Sequence, residues 1–300
     1  MHMPASKSQN PPHRHHYIPQ FYLREWTGKD GRLERYTQPY RSKLDIKRRP
    51  TKAVGWWDDL YIAPENDPHK NYFLEWGFFK QLDDRAARVF RKLNGAPIPA
   101  LSAEDISTWS TFLMSLLHRT PENLAAYKEV AGRLYDEAVP TIRDRYEELR
   151  TKDDPETVEE YEASLTAEDR ERVVMRNFAR VIANPNIGTF LNSLNWSAFD
   201  RPEDCPDYLL SDDPLARSNG LKKPDGHVAI AVSPRRLVVG TYEEKFLEEF
   251  RRIKPRELVF RMNTWTVEGA RHFVASTDLR QTRFIRNRFG ANPKPGFARV

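Results

Sequence analysis

The chain has 300 residues, 39% of them hydrophobic and 12% aromatic, with a formal net charge of +5. That is enough apolar material for one large domain or two small ones, and it excludes wholesale disorder. No apolar run approaches the roughly 18 residues of a membrane span and no secretory core opens the chain. The single cysteine, Cys205, excludes an intramolecular disulfide and a cysteine-built zinc site, so the expected compartment is the cytoplasm, with no membrane partner.

Residues 1–14 are polar and proline-rich and read as a disordered leader. Residues 16–26 and 32–37 read as short strands separated by the turn signal Gly28-Lys29-Asp30-Gly31. Leu74, Phe78, Leu82, Ala86, Val89 and Leu93 recur at three- and four-residue steps and predict a helix over 73–93. Ser102 with Asp105 three residues on caps a second helix whose buried face is Ile106, Trp109, Leu113, Leu116 and Leu117. It ends at His118-Arg119, because Thr120-Pro121 supplies an N-cap and a first-turn proline for a third, charged helix that Pro140 is expected to kink. The acidic stretch 151–165 reads as a linker or helix end. Thr166 and Asp169 then cap a helix carrying Val174, Phe178, Val181 and Ile182, stopped by Asn184-Pro185-Asn186. Beyond about residue 195 the period changes to two. Strands are predicted at 195–199, 208–211, 227–233, 237–240 and 257–261, and helices at 243–252 and 263–271. The sum is an α+β fold. A helical part, about 73–194, packs on a mixed or antiparallel sheet built from N- and C-terminal strands. One domain covers 15–278, with its mainly β part at about 195–278, and a basic tail follows at 279–300.

Three constellations carry chemistry. The first is His15-His16-Tyr17-Ile18-Pro19-Gln20-Phe21-Tyr22-Leu23-Arg24, in which polar groups are set among apolar ones. In an extended segment His16, Gln20 and Arg24 share a face, which lines up an imidazole, an amide and a guanidinium for an anion. The competing role is a partly buried histidine bonded to a backbone carbonyl. The second is His118-Arg119-Thr120-Pro121-Glu122, where free N–H groups at a helix start and a guanidinium fork suit carboxylate or phosphate. The alternative is a structural break with Arg119 paired to an acid. The third is Ser211-Asp212-Asp213-Pro214 after a strand, which presents carboxylates to a metal or serves as an Asx-type turn. Glu75, at the start of the first long helix, is a further carboxylate, and a helix dipole explains it equally well. His13, which forms an H-x-H pair with His15, falls in the leader.

Charge is unevenly placed. Arg41, Lys43, Lys47, Arg48, Arg49 and Lys52 form one basic cluster; Arg280, Arg283, Arg286, Arg288, Lys294 and Arg299 lie in a tail without an acid. Segments 41–52 and 280–299 are therefore candidate nucleic-acid contacts, with a solvated loop and tail as the plainer reading. No phosphate loop, dinucleotide fingerprint, serine elbow or H-E-x-x-H is present, so no nucleotide cofactor is expected. Cys205 has no basic neighbour to activate it.

The run at 15–24, His118-Arg119-Thr120-Pro121 and Leu210-Ser211-Asp212-Asp213-Pro214, in that order, resemble the bacterial family called domain of unknown function 4238. Ser233-Pro234 and Met262-Asn263 fit its layout, and the likeness covers about 15–278. In that family the turn more often reads Ser-Asp-Asn-Pro; Asp213 replaces the asparagine here. The resemblance implies that His16, Gln20, Arg24, Arg119 and Asp212 converge in one pocket, and it supplies no reaction. The start also faintly resembles the first strand of HNH nucleases, without their second half. The expected function is metal-assisted phosphodiester hydrolysis on nucleic acid or another phosphate-bearing substrate. His16 is the base, His16, Asp212 and Asp213 hold a divalent cation, and Arg24 and Arg119 meet the phosphate. The rival is a non-enzymatic module that binds an anion or nucleic acid.

Overall fold

The computed structural model describes residues 13–40, 43–65, 70–95, 101–218 and 220–293. The leader expected at 1–14 lies outside them apart from His13 and Arg14, as do Arg41, Lys294 and Arg299. The architecture is α+β.

A short strand β1 (Arg14–His16) pairs antiparallel with β4 (Trp56–Asp58), His15 opposite Trp57 and His16 opposite Trp56. The chain then bends into a helical turn, α1 (Gln20–Arg24), where a strand was predicted. The reason is local. Ile18, Phe21, Tyr22, Leu23 and Trp26 recur at helical steps, and Pro19, extended at ψ 140°, starts the turn in place of continuing the ladder. Gly55 fixes the bend from the other side. Its φ is +66°, its carbonyl accepts N–H bonds from Tyr17 (2.9 Å) and Ile18 (3.1 Å), and a Cβ there would lie 2.9 Å from the Ile18 side chain.

The N- and C-terminal strands do share a sheet. The hairpin β2 (Arg32–Tyr40) and β3 (Lys43–Pro50) continues through β10 (Val274–Ser276) to β6 (Leu210–Ser211) in the order β3-β2-β10-β6. A second antiparallel sheet, not expected, is formed by β5 (Asn195–Asp200), β7 (Leu215–Arg217), β8 (His227–Ser233) and β9 (Arg236–Thr241) in the order β5-β9-β8-β7. Nearly every residue of β8 and β9 is buried, so both faces are covered. Gly240 in β9 is required there because the Trp196 ring occupies the space a Cβ would take, 2.7 Å away.

The helical middle is α2 (Lys80–Gly95), α3 (Ala103–His118), α4 (Pro121–Asp144), α5 (Tyr146–Leu149), α6 (Val158–Ser164), α7 (Ala167–Ile182) and α8 (Pro185–Asn192). Ser102 and Thr166 form full capping boxes with Asp105 and Asp169, as their spacing predicts. α4 carries Pro140 inside it. α8 was not expected, since Pro185 begins a helix here after the Asn184 cap has ended α7. After the second sheet come α9 (Glu244–Arg252), α10 (Pro255–Gly269) and α11 (Thr282–Arg286). The strand predicted at 257–261 is instead the first part of α10, where Leu258, Val259, Met262, Thr266 and Val267 are buried at helical spacing behind Pro255. One large apolar core joins α1, the helical layer and both sheets.

Two polar bonds fasten the first turn to the C-terminal half. The Tyr22 hydroxyl donates to the Ala231 carbonyl at 2.6 Å, and the Trp26 indole N–H donates to that of Tyr208 at 2.8 Å. Both side chains are fully buried. Tyr22→Phe should therefore lower stability by about 1–2 kcal/mol with the fold unchanged, measured by urea denaturation.

Candidate functional site

The α1 turn, His16 at the end of β1 and the start of α2 line a solvent-open cavity of about 450 Å³. His16, Gln20 and Arg24 line it from the first motif; Glu75, Trp76, Lys80, Asp83 and Asp84 line it from the helical side. Gln20 and Arg24 are four apart, so they share a helix face where an extended chain was expected to align them. Glu75 and Trp76 sit in a widened π-helical turn, Leu74–Phe79, leading into α2; turns of this kind are frequent at functional positions.

His16 is held as a neutral imidazole. Burial, then the nearby charge of Arg119, lower its pKa to about 4, against a smaller opposing bond to the Thr51 backbone. Its Nε2 is buried without a hydrogen-bond partner among the described residues. The Thr51 hydroxyl also donates to Gln20 Oε1 at 3.3 Å, tying the amide to the same segment. Across the cavity, burial raises the Glu75 carboxyl to about 7, with Arg119 opposing and Asp83 adding to the rise. Glu75 Oε2 is likewise buried and unpartnered among the described residues. Arg24 and Lys80 make no ion pair among the described residues, and both side chains reach solvent.

Arg119 stands behind this wall, 1% exposed. Its two terminal nitrogens donate to the Asp83 carboxylate at 2.9 and 3.2 Å, its guanidinium lies 4.4 Å from the centre of the Phe79 ring, and its carbonyl accepts the Tyr61 hydroxyl at 2.5 Å. Expected as a phosphate ligand, Arg119 is committed to Asp83. It acts on the cavity through its charge and by fixing that carboxylate.

The aspartate turn is elsewhere. Asp212 does not line the cavity; its carboxylate oxygens accept the backbone N–H groups of Arg271, His272 and Phe273 at 2.9–3.2 Å. That holds the chain between α10 and β10, an anchoring role. Asp213, whose N–H donates to the Ser211 hydroxyl at 3.2 Å, is also outside the cavity. The metal triple His16, Asp212 and Asp213 is thus not assembled. Among the described residues no three His, Cys, Asp or Glu side chains are grouped to hold a metal ion. His15 is fully buried, its Nδ1 accepting the Tyr61 N–H at 2.9 Å, and His118 bonds the Met114 carbonyl at 2.8 Å. His13 pairs with Asp59 at 3.0 Å.

Lys80, Asp83 and Asp84 escaped the sequence reading because charged residues between the apolar positions of a helix look like a solvated face. The available signal was Glu75 and Asp83, two acids eight residues apart beside one apolar stripe. His272 was missed too. Its Nε2 lies 2.6 Å from the carboxylate of Glu122, in the first turn of α4, and that hydrogen bond raises the imidazole's pKa.

The protein family described as protein of unknown function (DUF4238) matches residues 14–279, and the chain belongs to that family. No curated protein and no solved structure matches the chain. No helix among the described residues is long and apolar enough to cross a membrane.

Asp212 and Glu75 should respond oppositely to neutralisation. Asp212→Asn turns an amide donor toward backbone donors and should cost about 2–4 kcal/mol, seen as a large fall in melting temperature. The Glu75 carboxyl, lifted from 4.5 to about 7, favours folding below 4.5 and loses that contribution as pH rises through 7. Glu75→Gln should therefore stabilise the protein progressively from pH 5 to pH 8, by up to about 3 kcal/mol, read from melting curves at each pH.

Proposed function

We propose that this cavity is an acid–base site for cleaving a phosphodiester, in nucleic acid or another phosphate-bearing substrate. The observation that carries the reading is the pair His16 and Glu75. A neutral imidazole and a carboxyl kept protonated up to about pH 7 share one cavity, each with a buried atom lacking a partner among the described residues. Titratable groups driven away from their ordinary values in opposite directions fit a base and an acid.

In the reaction His16 Nε2 takes the proton of an attacking hydroxyl or water as its oxygen bonds to phosphorus. The bond from phosphorus to the leaving oxygen breaks, and Glu75 gives that oxygen its proton. Arg24 and Lys80 offer cationic contacts for the phosphoryl oxygens, and Gln20 an amide donor. The metal donors expected from the sequence, Asp212 and Asp213, lie outside the cavity, so the reaction is written on the protein's own acid and base. The unpaired Arg24 and Lys80 also favour a second reading, a module that retains an anion without turnover.

Cleavage of bis(p-nitrophenyl) phosphate and of short RNA and DNA strands, with and without EDTA, tests the proposal. Activity should survive EDTA. The profile of kcat/KM should rise with an apparent pKa near 4, as His16 loses its proton, and fall near 7, as Glu75 loses its own. His16→Ala and Glu75→Gln should each cost roughly 100-fold or more, and each should abolish one limb of the profile. Tight anion binding without cleavage, lost in Arg24→Ala/Lys80→Ala, would leave the module reading standing in its place.

A further inference from the structure

The β1–β4 ribbon has two sides. Residues opposite each other on an antiparallel pair project the same way, so His16 and Trp56 face the cavity side while His15 and Trp57 face the other, with Tyr17 following on that side. On this second side the Trp57 indole is 48% exposed and its ring centre lies 5.9 Å from that of His272; the Tyr17 ring lies 6.0 Å from the same imidazole. Tyr17 in turn feels the charge of Arg35 on β2.

Arg35 is unusual. In the β2–β3 hairpin Leu33 is opposite Arg49 and Arg35 opposite Lys47, so Arg35, Lys47 and Arg49 share one face. Lys47 pairs with Asp45 at 2.9 Å. Neither Arg35 nor Arg49 has a carboxylate within ion-pair distance among the described residues, and the Arg35 Nε is buried with no hydrogen-bond partner among them. Arg49 stands diagonally across the hairpin from Arg35, and its charge acts against that of the Arg35 guanidinium. By contrast Arg48, on the opposite face, is bonded to both Asp30 and Glu34. The Asp45 carboxylate, already paired with Lys47, offsets part of the positive charge on Arg35, and an anion between the two guanidiniums would offset the rest. His272, whose pKa is raised by its hydrogen bond to Glu122, lies beside the exposed indole as a further group that can carry positive charge.

We propose that this face is a docking platform for single-stranded nucleic acid, in which Arg35 and Arg49 clamp a phosphate and Trp57, backed by His272, stacks on a base. Adjacent guanidiniums supply the backbone contact and an exposed aromatic the sequence-tolerant contact of single-strand binding. The choice of nucleic acid over other polyanions rests on the phosphodiester reading of the cavity, while the anion clamp itself rests only on the hairpin.

The test is fluorescence anisotropy with fluorescein-labelled 12-nucleotide single-stranded RNA and DNA, titrated at several salt concentrations. Wild type should bind. Arg35→Gln/Arg49→Gln should weaken binding 10-fold or more and reduce the slope of log K against log salt by about 2. Trp57→Ala should weaken it about 5-fold or more without altering the slope. Arg49→Gln and Trp57→Ala, both at solvent-reaching positions, decide the matter if the double variant melts early. His16→Ala should bind as wild type while losing cleavage, which separates failure of this platform from failure of the cavity reading. No binding at low salt, unchanged affinity in Arg49→Gln and Trp57→Ala, or equal capture of phosphatidylserine vesicles through the same residues would overturn the proposal.

Discussion

The buried pair of Arg119 and Asp83 is the constraint on which the candidate site depends. A guanidinium removed from water is costly unless its charge and its donors are met. Here the carboxylate takes both terminal nitrogens, leaving only Nε without a partner among the described residues, the Phe79 ring covers the guanidinium, and the chain around it is tied down by Tyr61. The pair joins the end of α3 to the first turns of α2. It thereby sets the position of the π-helical turn that carries Glu75. It also places a fixed positive charge near His16, which helps keep that imidazole neutral, and near Glu75, where the same charge opposes but does not overcome burial. One ion pair thus acts on both halves of the proposed acid–base couple.

Alternation along three residues distributes the rest. His15 turns into the core and stacks on Tyr61, His16 turns to the cavity, and Tyr17 turns to the opposite side beside His272. Gly55 keeps this register because the carbonyl it presents is shared by the amides of Tyr17 and Ile18. The first motif is dense in polar groups for this reason. It forms the wall between two surfaces and supplies a side chain to each.

What could be read from the residues follows from how local their signals are. The capping boxes at Ser102 and Thr166, the Thr120-Pro121 break and the stripe over α2 are set by contacts within a few residues, and they stand where the spacing puts them. The turn at Gln20–Arg24 and the start of α10 were read as strands because bulky apolar and aromatic residues crowd both; burial on several sides of a helix mimics alternation. His16, Gln20 and Arg24 were legible as a group since four-residue steps share a face in strand and helix alike. Asp212 was not, because the three amides it binds are sixty residues further along the chain. Its chemistry, a buried carboxylate, looks the same in sequence whether it holds a metal or a backbone.

The distinction that does locate function here is satisfaction. His15, His118 and Asp212 are as polar as the cavity residues and as deeply placed, yet each is bonded to backbone, and a side chain spent on backbone is held in place and unavailable to a ligand. His16 Nε2, Glu75 Oε2 and Arg35 Nε are buried without such a partner among the described residues. Leaving a buried polar atom unmet costs on the order of 1–3 kcal/mol, and others of the kind lie elsewhere, at Asn94 Oδ1, Trp109 Nε1 and Arg119 Nε among them; what sets these three apart is that Arg24 and Lys80, or Arg49, lie close by without an ion pair among the described residues, which is the ground for the proposed ligand sites. The two surfaces differ in what they lack. The cavity wants a group that can give and take a proton, and the hairpin face wants only negative charge. On the proposed reading, cleavage of a phosphodiester chain meets both: the attacking hydroxyl or water gives a proton, the leaving oxygen takes one, and the backbone carries the charge, so one substrate class can account for each surface without any contact between them.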